Sequence, residues 1–129
     1  MKKSRTLLSE LFFWIHFIMV AGWATLFLVP SRAWDEKVKF HFMITLIVVI
    51  HQVLWGFILS LYTKRFDLVC ILTTLTHMAR GEKFTTDLNY VYKWSTEFCS
   101  RIGLELSPRL AGTIVLSGLM IVSVQFLII

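Results

Sequence analysis

Two imidazoles lie in runs that are otherwise oily. His16 sits within FFWIHFIMVAGW (residues 12–23) and His51 within LIVVIHQVLWGF (residues 46–57), followed by Trp23 and Trp55 respectively. A neutral imidazole nitrogen ligates the iron of a b-type haem or the magnesium of a chlorophyll, and it is equally able to take part in a hydrogen bond. Two chemistries therefore compete. In one, each ring bonds to a hydroxyl, a backbone carbonyl or the other ring and fixes helix packing. In the other, His16 and His51 are axial ligands of a tetrapyrrole, with Trp23 and Trp55 beside it.

The elements that carry these rings follow from composition. Hydrophobic residues make up 57% of the 129, charged residues only 16%, and mean hydropathy is +0.71. That leaves too little polar surface to coat a soluble globule. Three stretches, 7–30, 38–62 and 110–129, are long and apolar enough to cross a hydrocarbon core about 30 Å thick at about 1.5 Å per helical residue. The fold class expected is an all-α membrane protein, a single domain with three transmembrane helices. At that rise His16 lies about 14 Å from one boundary and His51 about 16 Å from the same boundary on the antiparallel helix. Both rings thus fall near the midplane, where polar groups are costly and face protein.

Basic residues set the orientation. With the N-terminus inside, Lys2, Lys3, Arg5 and the seven basic residues of the second connection stay inside, while Arg32, Lys37 and Lys39 go out. The expected location is a bacterial inner membrane, N-terminus cytoplasmic and C-terminus outside. The formal net charge of +5 then reads as topology and attraction to anionic headgroups. No basic groove with stacking aromatics points to nucleic acid. The opening MKKSRTLLSELFF looks superficially like a secretory signal but lacks a small-x-small cleavage site, so it reads as a retained anchor.

The second connection is too long for a structureless loop. Two short amphipathic or re-entrant helices are expected, over about 66–80 and 85–103. In the first, Leu68, Ile71, Leu72, Leu75 and Met78 recur at helical spacing, opposite a polar face of Cys70, Thr73, Thr74 and His77. Gly81 reads as its stop. In the second, Thr85 or Thr86 offers a cap, Leu88, Val91, Trp94 or Ser95, Phe98 and Ile102 form a stripe, and Gly103 ends it. Both segments are expected in the inner interface or folded back on the spanning helices.

The histidines in helices one and two, together with the CILTTL stretch, resemble a family of small uncharacterised bacterial membrane proteins, catalogued as a domain of unknown function, with a Cys-x-Leu-Thr-x-Leu-Glu motif. Cys70, Leu72, Thr73 and Leu75 match, and Thr76 stands where Glu is usual. The resemblance implies a multi-pass helical architecture and no particular activity.

Other candidates carry less. His41 reads as a solvated interfacial side chain, and His77 with Cys70 supplies too few ligands for zinc. Cys70 and Cys99 fall in the cytoplasmic connection, where thiols stay reduced. Asp67, Glu82, Asp87, Glu97 and Glu105 read as solvated partners of nearby basic residues. No catalytic triad, paired carboxylates or phosphate loop is present. Eleven Phe and five Trp exceed what three helices can bury among themselves, and Gly112, Thr113 and Ser117 make a small-residue patch on helix three where another helix can approach. The function expected is an accessory, structural or assembly subunit of a larger membrane complex, with the bilayer and other integral subunits as partners. The alternative is a haem b or chlorophyll protein using His16 and His51.

Overall fold

Each connection in this chain is explained by what its backbone must do at the ends of three long helices. The computed structural model describes residues 6–128; Lys2, Lys3 and Arg5 of the N-terminal basic cluster, and Ile129, lie outside them. The described residues form six helices: α1 (Leu7–Thr25), α2 (Lys37–Thr63), α3 (Ile71–Ala79), α4 (Leu88–Val91), α5 (Trp94–Arg101) and α6 (Pro108–Ile128). Three of them, α1, α2 and α6, are long and apolar enough to cross a membrane, in agreement with the sequence.

A reciprocal box starts α1: the Ser9 N–H donates to Thr6 Oγ1 (3.1 Å) and the Thr6 N–H to Ser9 Oγ (3.0 Å), satisfying amides that have no helical partner. The helix stops at Thr25, earlier than the expected 30. Tight turns take over, with the Phe27 and Leu28 N–H groups donating to Ala24 and Thr25 carbonyls. Pro30 disfavours helix at the residue before it, so an apolar pattern alone overshoots the end. At the other end of the bundle, α2 closes on Lys64 in a left-handed conformation, its N–H donating to the Ser60 carbonyl.

After α2 the chain doubles back along it. Residues 64–70 are not helical, and Gly56 on α2 is where they pass closest: a Cβ there would collide with the backbone carbonyl of Asp67. Only glycine admits the returning strand at that point. Seven extended residues cover at most about 23 Å, and twelve helical residues separate Thr63 from His51 by about 18 Å. The strand therefore reaches the level of His51, where α3 begins and climbs back. At its top the Thr6 hydroxyl donates to the Ala79 carbonyl (2.9 Å), tying it to the start of α1. The element is a hairpin bonded to α2 through His51 and Trp55; α1 packs chiefly on α3, and α2 on α6.

Two expectations for this region need correction. The helix expected over 66–80 is shorter, Ile71–Ala79, and it is its polar face that packs against neighbours. Thr73, Thr74, Thr76 and His77 are buried while Met78 is exposed. Inside a bilayer the solvent is apolar, so polar side chains turn towards protein and apolar ones outward. The helix expected over 85–103 is broken at Tyr92 and Lys93 into α4 and α5, because the Lys93 ammonium reaches across to the Asp67 carboxylate (3.1 Å) and the Leu68 carbonyl (2.9 Å). Of its expected apolar stripe, Val91 and Ile102 are exposed. Gly81 and Gly103 terminate their helices with positive φ, 84° and 83°, as their positions predict.

Candidate functional site

The polar interior is organised around the base of the re-entrant hairpin. The Ile71 N–H, first of α3, donates to His51 Nε2 at 3.1 Å. An imidazole on one helix thus caps the N-terminus of another, and the accepting Nε2 places the ring proton on Nδ1. One turn further on, the Trp55 indole N–H donates to Thr74 Oγ1 (2.9 Å), Thr74 passes its own proton to Asn89 Oδ1 (2.9 Å), and Asn89 donates to the Phe84 carbonyl (2.7 Å). This chain joins α2, α3 and α4, and Thr74 and Asn89 at its centre are wholly buried. Beneath it Leu59, Val69 and Tyr90 form the apolar core, with Trp55 and Phe84 against them. The Tyr90 hydroxyl lies 2.7 Å from Thr63 Oγ1 and donates to the Arg65 carbonyl (3.1 Å).

On the α1 side, His16 stacks on Trp94 with ring centroids 5.0 Å apart. The Trp94 indole N–H donates to the Phe13 carbonyl (3.1 Å), and Phe98 stacks on Trp94 and on Phe17. His16 Nδ1 is enclosed with no hydrogen-bond partner. His16 and His51 are near enough for their charges to interact.

They do not fit a tetrapyrrole between them. His51 Nε2, the nitrogen a metal would need, is occupied by the Ile71 amide, and the ring of His16 is stacked on Trp94. Nor does Trp23 belong to this site. Its indole N–H donates to Thr45 Oγ1 (2.8 Å), whose hydroxyl donates to the His41 carbonyl (2.7 Å), and its ring packs edge-on to His41 and Phe27. His41 itself is 1% exposed, not solvated as its position near the helix end suggested. Both its ring nitrogens are buried without a hydrogen bond, enclosed by Trp23 and Phe27, whose ring centroid is 4.6 Å away.

A second cluster, absent from the sequence reading, holds the short helices to α1. The Arg80 guanidinium grips Glu97 with both terminal nitrogens. Arg101 donates to both oxygens of Glu10 (2.8 and 2.7 Å) and to Glu97 Oε1 (2.7 Å). Its guanidinium carbon lies 3.6 Å from the centroid of the Phe13 ring. Side-chain exposure is 2% for Arg80 and 7% for Glu97, so these are not solvated partners. Burial works to raise the pKa of Glu97, but hydrogen bonds and charge from Arg80 and Arg101 outweigh it and hold the carboxyl below its usual range. The signals in the sequence were Glu10, the lone acid of an otherwise oily span, and the four-residue spacing of Glu97 and Arg101.

The remaining candidates are structural in placement. His77 Nε2 lies 2.9 Å from the Tyr92 carbonyl. Beside it a cavity of about 10 Å³, lined by Thr73, Thr76, His77 and Glu97 among others, has room for one water. Cys70 and Cys99 are free thiols. Burial pushes the Cys70 thiol up, against a smaller pull from the Leu72 and Thr73 amides. On α6, Thr113 and Ser117 are exposed and turn their hydroxyls back to the Arg109 and Thr113 carbonyls, and nothing lies within 4 Å of a Cβ placed on Gly112. Gly118 instead faces Trp23, where a Cβ would come within 2.7 Å of the ring.

Fold and site together define an all-helical chain with three membrane-length helices and a buried polar hairpin. Compared with known protein families, curated proteins and solved structures, the chain returns no match.

Proposed function

We propose that this protein is a non-catalytic accessory or assembly subunit of a larger membrane complex. It crosses a bacterial inner membrane three times, with the N-terminus cytoplasmic and the C-terminus outside, as the ten-to-three split of its basic residues favours. The supporting observation is the poor coverage of α6. That helix touches α2 along one side, and between them runs an open groove of about 500 Å³, lined by Phe42, Leu46, Val49, Leu116 and Met120 among others. Ile114, Val115 and Ile121 face outward, and Gly112, Thr113 and Ser117 form an outward patch without bulk. By contrast the buried charges and hydroxyls are spent on internal bonds, which suits a scaffold more than an enzyme. The resemblance carried by Cys70, Leu72, Thr73 and Leu75 is consistent with this architecture, since those residues open the re-entrant helix.

The test is extraction of the full chain in mild detergent followed by native mass spectrometry, with and without Gly112→Leu and Ser117→Leu. A second protein at fixed stoichiometry, lost in both variants, is the expected result. A monomer carrying only lipid and detergent would overturn the proposal.

A further inference from the structure

The hydrogen bond at the base of the hairpin has an imidazole nitrogen as its acceptor, a lone pair that can also bind a proton. We propose that His51 is a proton-operated latch, holding the start of α3 against α2 while neutral and releasing it when charged.

The neutral ring offers its Nε2 lone pair to the Ile71 amide at 3.1 Å. A proton on Nε2 replaces that lone pair with a second N–H, so two donors face each other. The N-terminus of a helix also carries partial positive charge, which opposes an imidazolium at that spot. The groups around the ring do nothing to rescue it. From α1 comes His16, a second imidazole, which brings no negative charge to the ring. The hairpin contributes the Cys70 thiol next to Ile71, and α2 contributes Trp55, whose N–H is already given to Thr74. Farther up the hairpin the Asp67 carboxylate is neutralised by Lys93, and from α5 Trp94 presents its ring face to His16.

The opposite end of α3 is held independently, by Thr6 on the Ala79 carbonyl and by Arg80 on Glu97, neither of which involves His51. Release therefore swings the base of the helix about a fixed top. Cys70 and the buried Thr73 and Thr74 lie on the part that moves. Among the described residues, Thr113 and Ser117 on α6 return their hydroxyls to their own helix and play no part.

The experiment measures alkylation of Cys70 by a maleimide in the full chain with Cys99→Ser, in nanodiscs. Each rate is divided by the rate for the same protein unfolded in detergent, which removes the trivial effect of pH on the thiol. With His51 present, the ratio is expected to rise about tenfold as pH is lowered from roughly 8 to roughly 5. In His51→Gln, whose amide oxygen accepts the same bond but takes up no proton, it should stay flat. Equal profiles in the two proteins, or no rise in either, would overturn the latch. Should the glutamine variant fail to fold, NMR of the unaltered ring decides: the Ile71 amide shift must move in step with the His51 titration, and an amide that ignores it overturns the proposal equally.

Discussion

Substituting Glu97 by Gln tests whether the short helices are clamped by buried charge. Glu97→Gln keeps shape and removes charge, leaving Arg80, at 2% side-chain exposure, with no carboxylate. Arg101 still has Glu10, held through two hydrogen bonds. Breaking a buried pair by removing one partner destabilises by about 3–5 kcal/mol, and the surviving Arg101–Glu10 contact places this variant near the lower figure, about 3 kcal/mol. Glu10→Gln should lose only about 1 kcal/mol, because Glu10 is 28% exposed and Arg101 retains Glu97. Replacing Arg80 and Glu97 together by Met removes both charges of that pair and should approach wild-type stability.

The pH profile carries the same information. The folded pKa of Glu97 lies below its usual value, so its contribution is complete above the unfolded value of about 4.3 and drains away as pH falls through the folded one. The gap between wild type and Glu97→Gln should therefore narrow on acidification below about pH 4. Reversible unfolding in mixed micelles, followed by tryptophan emission, measures all of these. A Glu97→Gln loss under about 1 kcal/mol, or a Glu10→Gln loss exceeding it, would refute the clamp.

Gly56→Ala forces a methyl into the Asp67 carbonyl and should cost about 1–3 kcal/mol by overpacking while speeding Cys70 alkylation at neutral pH, read in the same nanodisc assay. His41→Phe removes two buried nitrogens that have no hydrogen bond from an aromatic enclosure; it should be neutral or raise the unfolding free energy by about 1 kcal/mol, which chemical denaturation in detergent would show.

How much of this was legible depended on whether a residue's setting was local. The three long helices were readable because a run of twenty apolar residues is its own signal. The stops at Gly81 and Gly103 were equally local. The hairpin was not, since its entry depends on Gly56 and its capping on His51, both far away along the chain. Periodicity separated the two faces of α3, and the polar one is the face that is buried. Glu97 and Arg80 read as surface charges because their partners are non-local: Arg80 meets Glu97 across 17 residues, and Arg101 beside them reaches Glu10 and Phe13 on α1. Trp23 was misplaced because helical spacing gives an angle around the axis but not which neighbour stands there.

The glycine that admits the descending strand and the imidazole that receives the first amide of α3 both lie on α2, while the threonine that fastens the top lies at the start of α1. The third helix in sequence therefore has no seat until the two preceding ones stand side by side. Its fasteners are thus supplied from two sides, so a change in either long helix loosens the short one without touching it.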